Sequence, residues 1–141
     1  MTSRILYAWA PTLGPLMIVF SIALLLRGHN APGGGFVGGL VAGCGFVLHA
    51  VVMGHQRTRA LLRVTPQQLI GAGLALAVLS GITAFLAGKP LLTGLWMTLS
   101  VPMLGAVSLG TPLLFDVGVY LLVLGMSAML ALAMLEDEDV A

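Results

Sequence analysis

The chain reads as an all-α integral membrane protein of four transmembrane helices, with an irregular, partly interfacial segment between the third and the fourth. Three observations lead there. Of 141 residues 59% are hydrophobic and 8% charged, too little polar surface to cover a water-soluble domain of this size. Four apolar segments, at about 5–26, 35–53, 68–87 and 113–135, each approach the roughly 20 residues that a helix needs to cross the hydrocarbon core. The stretch 88–112 is also apolar, but Lys89-Pro90, Gly94, Pro102, Gly105, Gly110 and Pro112 interrupt it, which argues against a fifth continuous helix.

The first segment carries Pro11, Gly14 and Pro15, so it is kinked or begins with an interfacial turn before the run from Leu16 to Leu26. Tyr7 and Trp9 suit the headgroup level. The segment is long for a signal-peptide core, and Arg27-Gly28-His29 offers no small-residue cleavage site, so it is expected to stay as the first helix. Next comes Arg27-Gly28-His29-Asn30-Ala31-Pro32-Gly33-Gly34-Gly35-Phe36, where polar residues, turn formers and three successive glycines separate two spans. The chain is folded tightly there, at or inside a membrane boundary.

In the second segment Gly35, Gly39 and Gly43 recur every four residues, with Gly34, Gly38 and Ala42 beside them. Small residues at this spacing let another helix approach closely, from the same chain or from a neighbouring one. A phosphate-binding glycine loop is excluded by context: no strand-forming run precedes it and no Gly-Lys-Ser/Thr follows. Cys44 is the only cysteine, so an internal disulfide is impossible, and it reads as a buried, inert thiol.

The connection from Gly54 to Gln68 holds three arginines, and Thr65-Pro66-Gln67-Gln68 has the form of a helix start, with Thr65 as N-cap and Pro66 at the first helical position. Those arginines set topology, or meet anionic lipid headgroups or a neighbouring protein. Arg4, Arg57, Arg59 and Arg63 share one side of a four-span arrangement against Arg27 and Lys89 on the other, which places both termini and the 54–67 loop in the cytoplasm. The 88–112 segment then lies along the outer surface, with Leu92, Leu95, Trp96 and Leu99 suited to a short interfacial turn. The tail from Glu136 to Asp139 is solvated, and its four acids oppose the dipole of the preceding helix, so its end should fray.

Outside that tail the only acid is Asp116, one turn into the fourth segment. An ionisable group at that depth needs a partner, water or a function. Arg27 or His29 could pair with it from the same side, giving a structural ion pair or a place in cation or proton passage. His49, late in the second segment, could relay protons or simply hydrogen-bond within the protein. His55 reads as a surface residue. The histidines are too spread for a haem or zinc site, so no metal and no cofactor is implied. Nucleophile elbows, His–Glu helical pairs and intramembrane carboxylate pairs are absent from the sequence, so it does not read as an enzyme, and the few cations do not point to nucleic acid.

The pieces RGHNAPGGGFVGGL (Arg27 to Leu40), LTGLW (Leu92 to Trp96) and GTPLLFDVGVYLLVLG (Gly110 to Gly125) resemble the MnhB family, the B-type subunits of the Mrp-type multisubunit Na+/H+ antiporters. The resemblance spans nearly the whole chain and implies a single domain over 1–141. It also implies a multi-pass subunit of a bacterial or archaeal cell membrane, assembled with other antiporter subunits that include large ones related to complex I. The transported ions would be Na+, in some relatives K+ or Li+, and protons. The large subunits of that family carry lysine and glutamate relays. Here Lys89 lies outside the helices and no intramembrane glutamate exists, so the B-type subunit completes a path or an interface. Arg27, His29, Asn30 and Asp116 are its first polar candidates, and His49 joins them for its place late in the second segment. Alternatives are a related subunit of a membrane-bound hydrogenase or respiratory complex, a structural spacer, or a small homodimeric transporter. The last lacks the first-helix glutamate that small multidrug exporters use.

Overall fold

The computed structural model describes residues 4–28, 33–90, 93–101 and 105–140. His29, Asn30 and Leu92 therefore lie outside the described residues. In chain order the elements are α1 (Arg4–Arg27), α2 (Gly34–Met53), α3 (His55–Leu61), α4 (Pro66–Leu86), β1 (Trp96–Val101), β2 (Gly105–Gly110) and α5 (Thr111–Val140). Four helical stretches are long and apolar enough to cross a membrane: Tyr7–Arg27, Gly34–Met53, His55–Leu86 and Thr111–Glu136. The four-span, helical architecture expected from composition is the one observed.

α1 runs through Pro11 and Pro15 as one helix, as membrane helices can when neighbours absorb the freed carbonyls. α2 ends at Gly54, whose φ of 80° belongs to the left-handed region that glycine tolerates. α4 starts as the sequence indicated, with a reciprocal capping box. Gln68 N–H donates to Thr65 Oγ1 at 3.3 Å, and Thr65 N–H donates to Gln68 Oε1 at 3.0 Å.

The segment between α4 and α5 is more regular than expected. Trp96–Val101 and Gly105–Gly110 form a two-stranded antiparallel hairpin in which Thr98 pairs with Ser108 and Leu99 with Val107. The glycines and proline that rule out a helix also punctuate hairpins. The hairpin's base is tied to α5: Thr111 N–H donates to the Leu95 carbonyl and Leu95 N–H donates to Thr111 Oγ1, both at 3.0 Å.

The long helices lie in the order α1, α2, α5, α4, so the last helix in sequence is central. Helix direction follows from what glycines touch. A methyl group on Gly35 would strike the Asp116 backbone, one on Gly39 would fall 2.9 Å from Val123 Cβ, and one on Gly43 2.6 Å from Ser127 Cβ. Positions advance together along both helices, so α2 and α5 are parallel. Gly38 and Gly45 face Ser21 and Met17 of α1, while Gly118 and Gly125 of α5 face Ala77 and Ile70 of α4, so both outer pairs are antiparallel. The row Gly35, Gly39, Gly43 thus runs along α5 of the same chain, and its neighbour row meets α1. With these two faces occupied, Cys44 falls on a third. It is exposed, contrary to the buried thiol expected, because it shares an outward stripe with Leu40, Val47 and Val51.

Candidate functional site

Asp116 sits in the second turn of α5, where the N-terminal ends of the two parallel central helices come together. Its carboxylate accepts a hydrogen bond from the Gly35 backbone amide. Gly28, at the end of α1, is the next neighbour: a methyl group there would stand 3.1 Å from Asp116 Oδ2. The carboxylate therefore occupies the notch between the end of α1 and the start of α2.

This contact answers a local deficiency. The N-cap of α2 is Gly33, at φ 91°, which has no side chain with which to cap. The first N–H groups of a helix have no intrahelical partner and carry the positive end of its dipole. Asp116 supplies from another helix the acceptor that a serine or aspartate N-cap supplies locally. Because α2 and α5 touch backbone to backbone at Gly35, no other residue type would let the carboxylate reach this amide. Arg27 is exposed and, among the described residues, makes no ion pair with Asp116. Among the described residues the partner is a helix end rather than a cation.

Asp116 also borders a cleft of about 340 Å³ that reaches Ser80 and Gly81 of α4 and Thr111 and Pro112 at the start of α5. Ser80 is buried, and its hydroxyl donates to the Ala77 carbonyl at 2.8 Å, leaving oxygen lone pairs as acceptors. Such a space has room for several waters beside the carboxylate.

Deeper polar groups are separate from this cleft. One turn below Asp116, Tyr120 reaches across Gly38 to Ser21, with the two hydroxyl oxygens 2.9 Å apart in a buried setting. Ser21 Oγ donates to the Ile18 carbonyl at 2.7 Å, so Tyr120 is the donor to Ser21. This bond joins α5 to α1 past the glycine groove of α2. Sequence reasoning passed over Tyr120 and Ser21, although the i, i+4 spacing of Asp116 and Tyr120 was a signal that both share one helix face.

His49 is half-buried near the other end of α2, with Nδ1 3.1 Å from Oγ1 of the fully buried Thr58. It borders an apolar cavity of about 500 Å³ between α1, α2 and the start of the α3–α4 connection. Fourteen residues of helix separate it from Gly35, about 21 Å at 1.5 Å per residue. Asp116 and His49 are thus at opposite ends. Among the described residues no group of three His, Cys, Asp or Glu side chains converges as a metal site would. His55, expected at the surface, is partly buried, and its Nε2 has no hydrogen-bond partner.

Comparison with known proteins agrees with this architecture. Residues 5–129 match the family model described as a domain related to the MnhB subunit of Na+/H+ antiporter. The B-type component of the Na(+)/H(+) antiporter of Bacillus subtilis is 42% identical over 123 residues, covering 87% of this chain and 86% of that protein. Its counterpart from Alkalihalophilus pseudofirmus is 33% identical over 123 residues, with 87% and 85% covered. Among solved structures, a chain of the Mrp complex from Dietzia sp. DQ12-45-1b superposes with a TM-score of 0.72 at 39% identity. That match covers 91% of this chain but 14% of the larger one. By sequence over most of its length, and by fold, this chain belongs to the family of domains related to the MnhB subunit of Na+/H+ antiporters.

Proposed function

We propose that the chain is the B-type membrane subunit of a Mrp-type multisubunit Na+/H+ antiporter, acting in transport and not in catalysis. The observation that carries this reading is the near end-to-end match to separate B-type antiporter proteins, with 86% of the Bacillus subtilis protein covered. Both termini and α3 face the cytoplasm in this reading, supported by the bias of Arg4, Arg57, Arg59 and Arg63 over Arg27 and Lys89. Asp116 has two tasks in it. The carboxylate holds the start of α2 through Gly35, and it gives the adjoining cleft a negative charge at the outer mouth, where a cation or proton arrives. Arg27 belongs to the same end, and His29 and Asn30, which follow it in sequence, are the further polar candidates there, while His49 belongs to the cytoplasmic side.

The test is purification of the tagged chain from native membranes in mild detergent, with mass spectrometry of what stays bound. Antiporter subunits in the eluate support the reading. Recovery of hydrogenase subunits, or of this chain alone as a stable oligomer, overturns it.

A further inference from the structure

We infer that the arginine-bearing cleft at the opposite end of the bundle from Asp116 is a binding site for the headgroup of an anionic phospholipid. The cleft, of about 340 Å³, lies between the α3–α4 connection and the last turns of the α5 span. Arg59 and Arg63 line it, both exposed and neither in an ion pair with a described residue. Glu136 lines it too, so two cations stand against one carboxylate among the described lining groups. Gln67 and Gln68 add amide groups on the same wall.

The backbone contributes a donor. Pro66 has no N–H, Gln68 N–H is taken by Thr65 Oγ1, and Leu69 N–H is taken by the Thr65 carbonyl. Gln67 N–H is left as the free amide of the first turn of α4, at the positive end of a 21-residue helix. Two guanidinium groups plus such an amide suit a phosphate oxyanion, which guanidinium binds in bidentate fashion.

The apolar part of the lining decides between a lipid and a free phosphate. Leu62, Met129 and Leu132 supply it, and Leu62 also borders the neighbouring apolar cavity of about 500 Å³. Free phosphate has no use for such surface, whereas a glycerophospholipid places acyl chains against it. The position agrees. α4 begins at Pro66 and the α5 span ends at Glu136, so the cleft lies at the membrane boundary where headgroups reside.

The test is native mass spectrometry of the tagged chain, with whatever subunits accompany it, after delipidation and addition of phosphatidylglycerol or phosphatidylcholine. Wild type should retain phosphatidylglycerol in preference, and the double variant Arg59→Gln/Arg63→Gln should lower that retention at least fivefold. Arg57→Gln, on α3 but outside the cleft lining, should leave it unchanged, and Glu136→Gln should raise it, an effect that damage to the fold would not produce. Four results would overturn the inference: equal retention of both lipids, an equal loss with Arg57→Gln, displacement of the lipid by millimolar inorganic phosphate, and crosslinks from this cleft to an acidic segment of a neighbouring protein with no lipid retained.

Discussion

At the residue scale the informative contact is between Asp116 and the Gly35 amide, because the proposed function gives this one side chain both a structural and an electrostatic task. The two can be separated by substitution. Asp116→Asn keeps an acceptor for the amide but removes the charge, so the chain should still assemble while cation-dependent proton exchange in everted vesicles falls at least tenfold. Asp116→Ala removes the acceptor as well and should cost about 0.5–2 kcal/mol of stability, the usual cost of losing a helix cap, seen as a lower melting temperature of the purified protein. If Asp116→Asn exchanges ions like wild type, the carboxylate is structural only. Tyr120→Phe probes the neighbouring link. It leaves Ser21 without its donor in a buried setting and should cost about 1 kcal/mol, measured in the same melting assay. The sequence singled out Asp116 as an acid without a local partner, but Arg27, the described one of the two partners it offered, makes no ion pair with it. A backbone amide is invisible in a sequence, so a helix N-terminus lacking a capping side chain has to be sought instead.

Helix pairing is where glycine spacing acquires a meaning. The four-residue rows in α2 announced close approach, and the structure distributes them between α5 and α1. Gly39→Leu should therefore prevent this chain from folding, because a side chain there meets Val123 and Tyr120 of its own α5. Gly71→Leu is the control, since nothing lies within 4 Å of the position. Pulse-labelled protein level in the membrane reads the difference: loss for the first, near-normal amounts for the second. Comparable levels for both would detach α2 from α5. The β1–β2 hairpin was the least legible element. Its glycines and Pro102 signal breaks in a helix, and two short strands carry too little periodicity to reveal themselves against an apolar background. Register and the Leu95–Thr111 closure come from long-range pairing that no local pattern contains.

For the whole molecule, the surface left after the four helices pack is strongly apolar. Leu16, Val19 and Phe20 on α1, and Leu74, Leu79 and Phe85 on α4, all stand exposed. Lipid or neighbouring proteins cover them, since an apolar surface of that extent is not left to water. The inferred orientation makes a prediction at this scale. In a Cys44→Ser background, Gln56→Cys should react with a membrane-impermeant maleimide only when the cytoplasmic face is open, and Lys89→Cys only from outside. Reversed labelling would invert the topology.

Taken alone, the sequence determined the membrane class, the four spans, the α4 cap at Thr65 and the isolation of Asp116, because each depends on local composition and spacing. The tertiary structure alone decided the order α1, α2, α5, α4, the parallel pairing of α2 with α5, the outward face of Cys44 and the amide that receives the Asp116 carboxylate. The division has a physical cause. In lipid every helix face is apolar, so hydrophobicity marks which segments enter the membrane but not which faces meet. That choice rests on the fit of glycine grooves to particular neighbours and on the few polar groups that must find partners there.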